Sequence, residues 1–237
     1  MAESKKVLVI QHSDKETLGI IGTQLTDSGI DYSYVRPFSG EKLPADLNVL
    51  SGLIILGGPQ SAYQENEFPY LSDEKTFLKN AITQNLPVLG ICLGSQLIAE
   101  ILGSKIIPGP QMQVNFQPIY FTDWFVNKLK PSSVPSYPVH ALHWHKDIFN
   151  MPPEVSILAS SENTQIEGFV WKNNVWGLLF HLEPELTQIE DMVTHFEEDL
   201  LEGNTSKLEV LRLAEQYLSE THKAGKAIFS NWIKYIS

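Results

Sequence analysis

Cysteine is scarce in this sequence, with Cys92 as its single representative among 237 residues. A lone cysteine cannot form a disulfide within the chain, so no internal disulfide framework is possible. Long apolar runs are also missing, since no stretch approaches the ~18 residues that a transmembrane helix needs. The N-terminal stretch 1–6 is short and polar and lacks the charged and then apolar pattern of a signal peptide. We therefore predict a cytoplasmic protein with no membrane partner, in which the sequon at Asn204 is accidental.

Basic residues are few relative to acidic ones: 17 Lys and Arg stand against 28 Asp and Glu, which gives a formal net charge of -11. Binding to a nucleic-acid backbone needs clustered basic side chains that displace counterions, so nucleic acid is not expected as a partner. The rest of the composition, 43% hydrophobic and 19% charged, is that of a globular protein with a packed core.

No linker, internal repeat or low-complexity tract divides the chain, so we predict one domain over 1–237. Its core covers about 5–185, and a C-terminal helical segment covers about 186–237. The aromatic residues of that segment, Phe229, Trp232 and Tyr235, indicate either core packing or a homodimer contact. The acidic stretch 197–202 is typical of a solvated helix face.

Apolar runs typical of buried strands alternate with helical patterns in the first half of the chain. The predicted strands are Val7–Ile10, Tyr32–Val35, Leu53–Leu56 and Pro87–Ile91, and the predicted helices are Thr17–Leu25 and Ser72–Gln84. This alternation predicts an α/β fold with a parallel sheet and helices on both faces. Strand-like runs with short connections follow and indicate a partly antiparallel extension; they are 116–121, 139–144, 155–159, 166–171 and 175–180. Apolar residues at helical spacing then predict helices over 189–200 and 207–236.

The most informative stretch is a strand-like run that enters Gly90-Ile91-Cys92-Leu93-Gly94 and leaves into a helical pattern. A sharp strand-to-helix turn of this kind is a nucleophile elbow, in which the two glycines avoid side-chain collisions. The following helix N-terminus favours a thiolate, so we predict a lowered pKa for Cys92. A lone cysteine is more often a small core residue, but the flanking glycines favour a nucleophile.

A thiolate nucleophile needs a base that is held in one tautomer by a carboxylate. His181 ends an apolar run, and Glu183 follows two residues later. In a strand, residues two apart lie on one side, so these two side chains can meet. The sequence therefore predicts Cys92, His181 and Glu183 as nucleophile, base and orienting residue. The ordinary alternative is a strand-end histidine near a surface glutamate.

Two further motifs carry weaker signals. The glycine pair before Pro59 is by itself a turn signal, but the backbone N–H groups of Gly58 and Leu93 could together form an oxyanion hole. His143, His145 and Asp147 have residue types that could bind zinc. Because no second ligand cluster is apparent, we predict no metal site there and favour a substrate-binding edge.

Taken together, these pieces resemble the class I glutamine amidotransferases, and most closely the stand-alone proteins similar to the glutaminase domain of GMP synthase. The matching motifs are Gly57-Gly58-Pro59-Gln60-Ser61, Gly90-Ile91-Cys92-Leu93-Gly94-Ser95-Gln96, Trp144-His145-Lys146-Asp147 and Phe180-His181-Leu182-Glu183. The resemblance implies a flavodoxin-like fold and no cofactor. It implies that Cys92 attacks the side-chain amide of glutamine, that His181 shuttles the proton and that Glu183 holds the base. It also implies oxyanion roles for Gly58 and Leu93 and substrate-binding roles for Gln96, Trp144 and His145.

The sequence departs from the family pattern at Leu179, Leu182 and Asn115-Phe116, and we expect Leu179 and Asn115-Phe116 to lie beside the pocket and to alter substrate choice. No synthetase motif that would consume ammonia is present, so the resemblance implies that ammonia passes to a separate synthetase chain. Two alternatives remain open: a γ-glutamyl peptide hydrolase, and a binding or regulatory module with a vestigial site.

Overall fold

A single sheet forms the centre of the computed structural model, which describes residues 5–129, 138–152 and 154–236. The strands of these residues are β1 (Lys6–Ile10), β2 (Asp31–Val35), β3 (Gly52–Ile55), β4 (Val88–Ile91), β5 (Ile106–Phe121), β6 (Val139–Phe149), β7 (Ser156–Ser160), β8 (Gly168–Trp171) and β9 (Val175–Leu178). The helices are α1 (Ile20–Asp27), α2 (Tyr70–Thr83), α3 (Leu93–Ile101), α4 (Asp123–Leu129), α5 (Leu186–His195), α6 (Glu197–Glu202) and α7 (Lys207–Ile233). Across the sheet, the strand order is β2-β1-β3-β4-β9-β8-β7-β5-β6.

The first five strands in that order are parallel. Four of them are the predicted parallel strands, and the fifth, β9, comes from the run 175–180 that the sequence analysis placed in the antiparallel extension. Their side chains alternate between two apolar layers, which explains why the runs are apolar throughout. Leu8, Ile10 and Ile55 pack toward α2 and α3, whereas Val7 and Val9 pack toward α1 and α7. The carboxyl ends of β1, β3, β4 and β9 meet at one edge, where an open α/β sheet places its ligand site.

The other four strands are antiparallel, which confirms the predicted extension. β5 and β6 form a long hairpin whose register shifts between Pro108 and Gln113. β6 passes the carboxyl end of β9, and an isolated bridge joins Leu142 to His181 there. The hairpin therefore forms a wall beside the edge at which the parallel strands end.

The C-terminal helices differ in detail from the prediction. The predicted helix 189–200 is two helices, because Phe196 takes φ -111° and ψ 49° and interrupts the helical backbone. α7 begins after the N-cap Ser206, whose side chain accepts a hydrogen bond from the Glu209 N–H at 3.2 Å. Trp232 and Phe229 are fully buried in the core, as one of the two open interpretations predicts.

α1 starts at Ile20 rather than at the predicted Thr17, because Gly19 has φ 47° and ψ -130°, which no helix accommodates. Among the helices of the described residues, none combines the length and the apolar character that a membrane span requires.

Candidate active site

Cys92 lies at the turn between β4 and α3, where its own φ is 49° and its ψ is -109°. A side chain at Gly90 would lie 2.5 Å from the Gly94 carbonyl group, and one at Gly94 would lie well inside 3.0 Å of the Ile55 oxygen. Both glycines are therefore needed for close approach of neighbouring backbone, as the interpretation of the elbow motif requires.

Cys92 is buried, with 7% of the residue exposed, and its Sγ faces β6. Its Sγ donates to the Trp144 carbonyl oxygen at 3.5 Å, and the Leu93 N–H also contacts the sulfur. The Cys92 backbone N–H donates to the Leu178 oxygen at 2.8 Å, which ties the elbow to β9. The nucleophile predicted from sequence is thus held by three neighbouring elements.

His181 and Glu183 meet as predicted, although not within a strand. β9 ends at Leu178, and His181 is held beyond it by the bridge to Leu142 of β6. Its Nδ1 lies 2.7 Å from Glu183 Oε1, and Glu183 Oε2 accepts from the Leu182 N–H at 3.0 Å. The Nε2 atom, which has no well-aligned hydrogen-bond partner among the described residues, is the ring nitrogen left for Cys92.

The two titrating groups shift each other's proton affinity. Burial alone would lower the pKa of His181, but the Glu183 carboxylate and the Cys92 thiol outweigh it and raise that pKa well above 6.5. Burial raises the pKa of the Cys92 thiol above its usual value, against the lowering effects of His181 and the Leu93 N–H. The predicted lowered pKa of Cys92 is therefore wrong for the protein without substrate, because burial outweighs the helix N-terminus.

Glu16 is a second carboxylate near Cys92 and His181, and the sequence analysis missed it. Its carboxylate lies against Gly57, where a Cβ would collide with it, and it lines a small cavity with Cys92 and His181. Burial raises the pKa of Glu16 to about 7, with the charge of His181 opposing this rise and the charge of Glu183 adding to it. No local motif marks this residue, because it lies in an irregular segment between β1 and α1.

His12 and Glu74 form a buried pair beneath the glycine turn that follows β3. His12 Nε2 lies 2.8 Å from Glu74 Oε2, and its Nδ1 lies 3.2 Å from the Leu56 oxygen and 3.3 Å from the Gly57 oxygen. Burial alone would lower the pKa of His12, but the Glu74 charge outweighs it and raises that pKa. Because both ring nitrogens face acceptors, an imidazolium fits this position and pins the turn that carries Gly58. His12 follows directly after β1, and ligand sites of parallel sheets lie at the carboxyl ends of the strands, so its place near the site was predictable from sequence.

A cleft of about 330 Å³ opens at the sulfur of Cys92. Every residue predicted for oxyanion or substrate binding lines it, namely Gly58, Leu93, Gln96, Trp144 and His145. Gln96 is buried, and its Oε1 has no hydrogen-bond partner among the described residues. The cleft therefore holds unused hydrogen-bonding groups beside a buried thiol, as a small polar ligand requires.

Acidic side chains from two segments form the rim of the cleft. Asp199 accepts from the Trp144 indole N–H at 2.8 Å, Glu202 pairs with Lys146, and Asp147 accepts from the Tyr63 hydroxyl at 3.2 Å. The acidic stretch 197–202 is thus only partly the solvated face predicted from sequence, because Asp199 and Glu202 face the cleft.

The departures from the family pattern do not lie in the cleft, contrary to expectation. Leu179 and Leu182 are fully buried in the two central apolar layers. Phe116 packs against the C-terminal helices, and Asn115 borders a separate surface depression. These positions therefore affect packing rather than contact with a ligand beside Cys92.

Behind the cleft wall, His143 and His145 of β6 face Glu167, which precedes β8. Glu167 Oε1 lies 3.3 Å from His143 Nδ1, and Glu167 Oε2 lies 3.4 Å from His145 Nε2. All three side chains have 0% exposure. The carboxylate that joins the two histidines is Glu167 and not the neighbouring Asp147, which bonds to Tyr63.

The comparisons with known proteins agree with this architecture. The sequence pattern of the family described as glutamine amidotransferase class-I matches residues 20–198. The glutamine amidotransferase-like protein YfeJ of Salmonella typhimurium is 30% identical over 201 residues, which cover 84% of each chain. One chain of the glutamine-hydrolyzing GMP synthase of Sulfolobus acidocaldarius, named as a subunit of that enzyme, is 32% identical over 152 residues, 62% of this chain and 75% of that one. A glutamine amidotransferase structure from Methylobacillus flagellatus superposes with a TM-score of 0.90 at 24% identity, over 99% of this chain and 96% of that chain.

Proposed function

We propose, because this chain belongs to the class I glutamine amidotransferase family, that it hydrolyses the side-chain amide of glutamine through a thioester on Cys92. The observation that carries the proposal is the arrangement of a buried thiol, an imidazole and a carboxylate at the floor of one cleft. Each has a distinct role: Cys92 is the nucleophile, His181 the base, and Glu183 the residue that orients the base.

Proton transfer follows from the tautomer that Glu183 imposes. The Glu183 carboxylate accepts from Nδ1, so this nitrogen carries hydrogen and Nε2 keeps its lone pair. Nε2 takes the thiol proton as the sulfur attacks the amide carbon and the C–S bond forms. The Glu183 carboxylate stabilises the imidazolium that forms in this step and so favours the transfer.

The tetrahedral intermediate needs hydrogen bonds to its oxyanion. Gly58 and Leu93 line the cleft at Cys92, and we assign this role to their backbone N–H groups. As the C–N bond breaks, His181 returns its proton to the leaving nitrogen and ammonia departs. His181 then removes a proton from water, which attacks the thioester, so that glutamate leaves and the thiol is restored.

The amino-acid end of glutamine is held by the cleft wall. Gln96 offers its unpaired Oε1 and its amide N–H groups, and the backbone near Trp144 and His145 offers further polar groups. The acidic rim, with Asp147 and Asp199, suits the substrate's α-ammonium group. These contacts fix the amide carbon beside the sulfur.

The ammonia is passed to a separate synthetase chain. Support comes from the Sulfolobus relative, whose name describes one subunit of a glutamine-hydrolyzing GMP synthase rather than the whole enzyme. Free glutamine hydrolysis should accordingly be slow in the isolated protein and should rise when the acceptor enzyme is added.

The test is acylation of the thiol. Native protein mixed with glutamine and quenched rapidly should show a mass increase of one γ-glutamyl group, and glutamate should appear in the supernatant. The Cys92→Ala variant should show neither signal, and a Ser95→Ala variant serves as its matched control, since Ser95 Oγ donates to the Cys92 carbonyl group at 2.7 Å and does not reach the cleft. If native protein forms no adduct with glutamine or any γ-glutamyl compound, both enzyme hypotheses fail and a binding module takes their place.

A second candidate is hydrolysis of a larger γ-glutamyl compound. The observation in its favour is the rim, where Asp147, Asp199 and Glu202 outnumber the single cation Lys146, which is already paired. A rim of this charge suits a leaving group that carries an amine. Faster turnover of γ-glutamyl peptides than of glutamine, at equal concentration, would select this candidate, and stimulation of glutamine hydrolysis by a synthetase would select ammonia transfer.

A further inference from the structure

The buried cluster of His143, His145 and Glu167 contains several polar atoms that lack a well-aligned hydrogen-bond partner among the described residues. Within the described part of the chain, none of the four ring nitrogens has a hydrogen-bond partner with acceptable geometry, and neither has Glu167 Oε2. His143 is 0%, His145 3% and Glu167 0% exposed. A buried polar atom without a partner is destabilising, so a ligand that satisfied these atoms would stabilise the cluster.

The three residues lie close enough together for one metal ion to contact an atom of each. The carboxylate oxygens lie 3.3 Å and 3.4 Å from the facing ring nitrogens of His143 and His145. Ligands bound tetrahedrally to zinc at about 2.0–2.1 Å lie roughly 3.3–3.4 Å from one another. One donor atom from each of the three residues lies within 4.8 Å of the other two.

The surroundings also resemble those of bound metals. Ligating carboxylates usually accept a further hydrogen bond that fixes their orientation, and Ser161 Oγ donates to Glu167 Oε1 at 2.8 Å. Thr164 N–H donates in turn to Ser161 Oγ at 3.0 Å, and Gln113 Nε2 donates to Thr164 Oγ1 at 2.9 Å. This chain of bonds ties Glu167 to Gln113 of β5, the strand that pairs with β6, whether or not an ion is bound.

From this geometry we propose that His143, His145 and Glu167 form a binding site for one divalent transition-metal ion, of which zinc is the expected occupant. Two imidazoles and one carboxylate form a donor set suited to zinc and its neighbours rather than to magnesium or calcium. The ion would neutralise the buried Glu167 charge and satisfy ring nitrogens that have no other partner within the described residues.

The position gives the ion a structural role in the cleft wall. In β6, the side chains of 143 and 145 face Glu167, and the intervening Trp144 turns to the other face and bonds to Asp199. The Trp144 carbonyl oxygen, which accepts from Cys92 Sγ, therefore lies between the two proposed ligands along the chain. A bound ion would fix this stretch of backbone relative to the sulfur, and it would do so independently of the hydrolytic reaction.

The experiment uses full-length protein freed of any affinity tag and stripped with a chelator. Zinc is titrated against a chromophoric competitor, and cobalt is used as a spectroscopic substitute. We expect one equivalent of zinc, and a cobalt spectrum typical of nitrogen and oxygen ligands without a thiolate band. Glu167→Gln and His145→Ala should each weaken zinc binding by more than about 100-fold, since loss of an outer-shell partner already costs about 10–100-fold.

Two controls separate the site from other thiols and histidines. His140→Gln alters a histidine of the same strand that pairs instead with Glu220 at 3.7 Å, and it should bind zinc like the native chain. Cys92→Ala should also keep the full equivalent of zinc. Absence of a zinc equivalent in native protein, or its loss in Cys92→Ala with retention in Glu167→Gln, overturns the proposal. If the ligand variants do not fold, the native stoichiometry and the Cys92→Ala result still decide it.

Discussion

Glu16 provides a test of the site's electrostatics that does not depend on any substrate. The pKa of its carboxyl group is raised to about 7 in the folded protein, compared with an ordinary value of 4.5. Between these two pH values, the folded chain binds a proton that the unfolded chain has released. Stability should therefore fall as the pH rises from about 4.5 to about 7, because the folded state then contains a charge that is poorly solvated.

The loss of stability follows from the difference between the Glu16 pKa of about 7 in the folded chain and its ordinary value of 4.5. At 1.36 kcal/mol per pKa unit this difference corresponds to about 3 kcal/mol of unfolding free energy. The residue is only partly shielded from water, and screening reduces the expected effect to about 1–2 kcal/mol. Glu16→Gln removes the titrating group with little change of shape. The variant should therefore match the native protein at pH 4.5 and exceed its unfolding free energy by about 1–2 kcal/mol at pH 8.

Urea unfolding of both proteins at pH values from 4.5 to 8 measures this difference, because the effects of groups that do not interact with Glu16 cancel in the comparison. Glu215→Gln, on the exposed face of α7, controls for the loss of one negative charge at the surface. A difference between Glu16→Gln and native protein that is the same at every pH would refute the reasoning. The rate of alkylation by iodoacetamide gives a second readout: since ionised Glu16 raises the pKa of Cys92, the variant should be alkylated faster at pH 8.

Three further predictions concern the nucleophile, the elbow and its support. Glu183→Gln should lower kcat about 10³- to 10⁴-fold, because His181 loses the partner that fixes its tautomer. Cys92→Ala should abolish turnover. Equal activity of Glu183→Gln and native protein in a glutamate-release assay would exclude an orienting role for Glu183. Gly94→Ala should lower the unfolding free energy by about 1–3 kcal/mol, because its Cβ would overlap the Ile55 oxygen; an unchanged urea midpoint would contradict this. Trp232→Phe should lower the unfolding free energy by about 1–3 kcal/mol, because it removes the indole N–H that donates to the Val88 oxygen of β4 at 3.1 Å. Calorimetry measures this loss of stability.

The elbow could be predicted from sequence because its cause is local. A strand, a turn and a helix follow one another along the chain, and the two glycines that permit the turn flank Cys92 directly. The pairing of His181 with Glu183 was also predictable, since residues two apart in an extended segment lie on one side. That argument survives although β9 ends before His181, because the bridge to β6 keeps the segment extended.

Other parts of the site depend on contacts between distant segments. Glu16 reaches Gly57 from an irregular loop, and Glu167 reaches His143 and His145 from the residue just before β8. Two histidines separated by one residue suggest a metal site, but the sequence does not show which carboxylate lies beside them in the fold. The expected pKa of Cys92 was wrong for the same reason, since burial by β6 is a tertiary effect. Prediction of a single domain over the whole chain stays a prediction.

The C-terminal segment, which contains no recognisable motif, acquires a role from where its side chains lie. α6 supplies Asp199 and Glu202 to the cleft rim, and Asp199 holds the indole ring of Trp144 at 2.8 Å. α7 packs across the sheet, and its Trp232 donates to the Val88 carbonyl group of the strand that ends at the nucleophile. The backbone that positions Cys92 is thus bonded to residues that come after His181 and Glu183 in the chain. If substrate binds in the cleft as proposed, changes within α6 should alter the KM for substrate before they alter the chemistry at the sulfur.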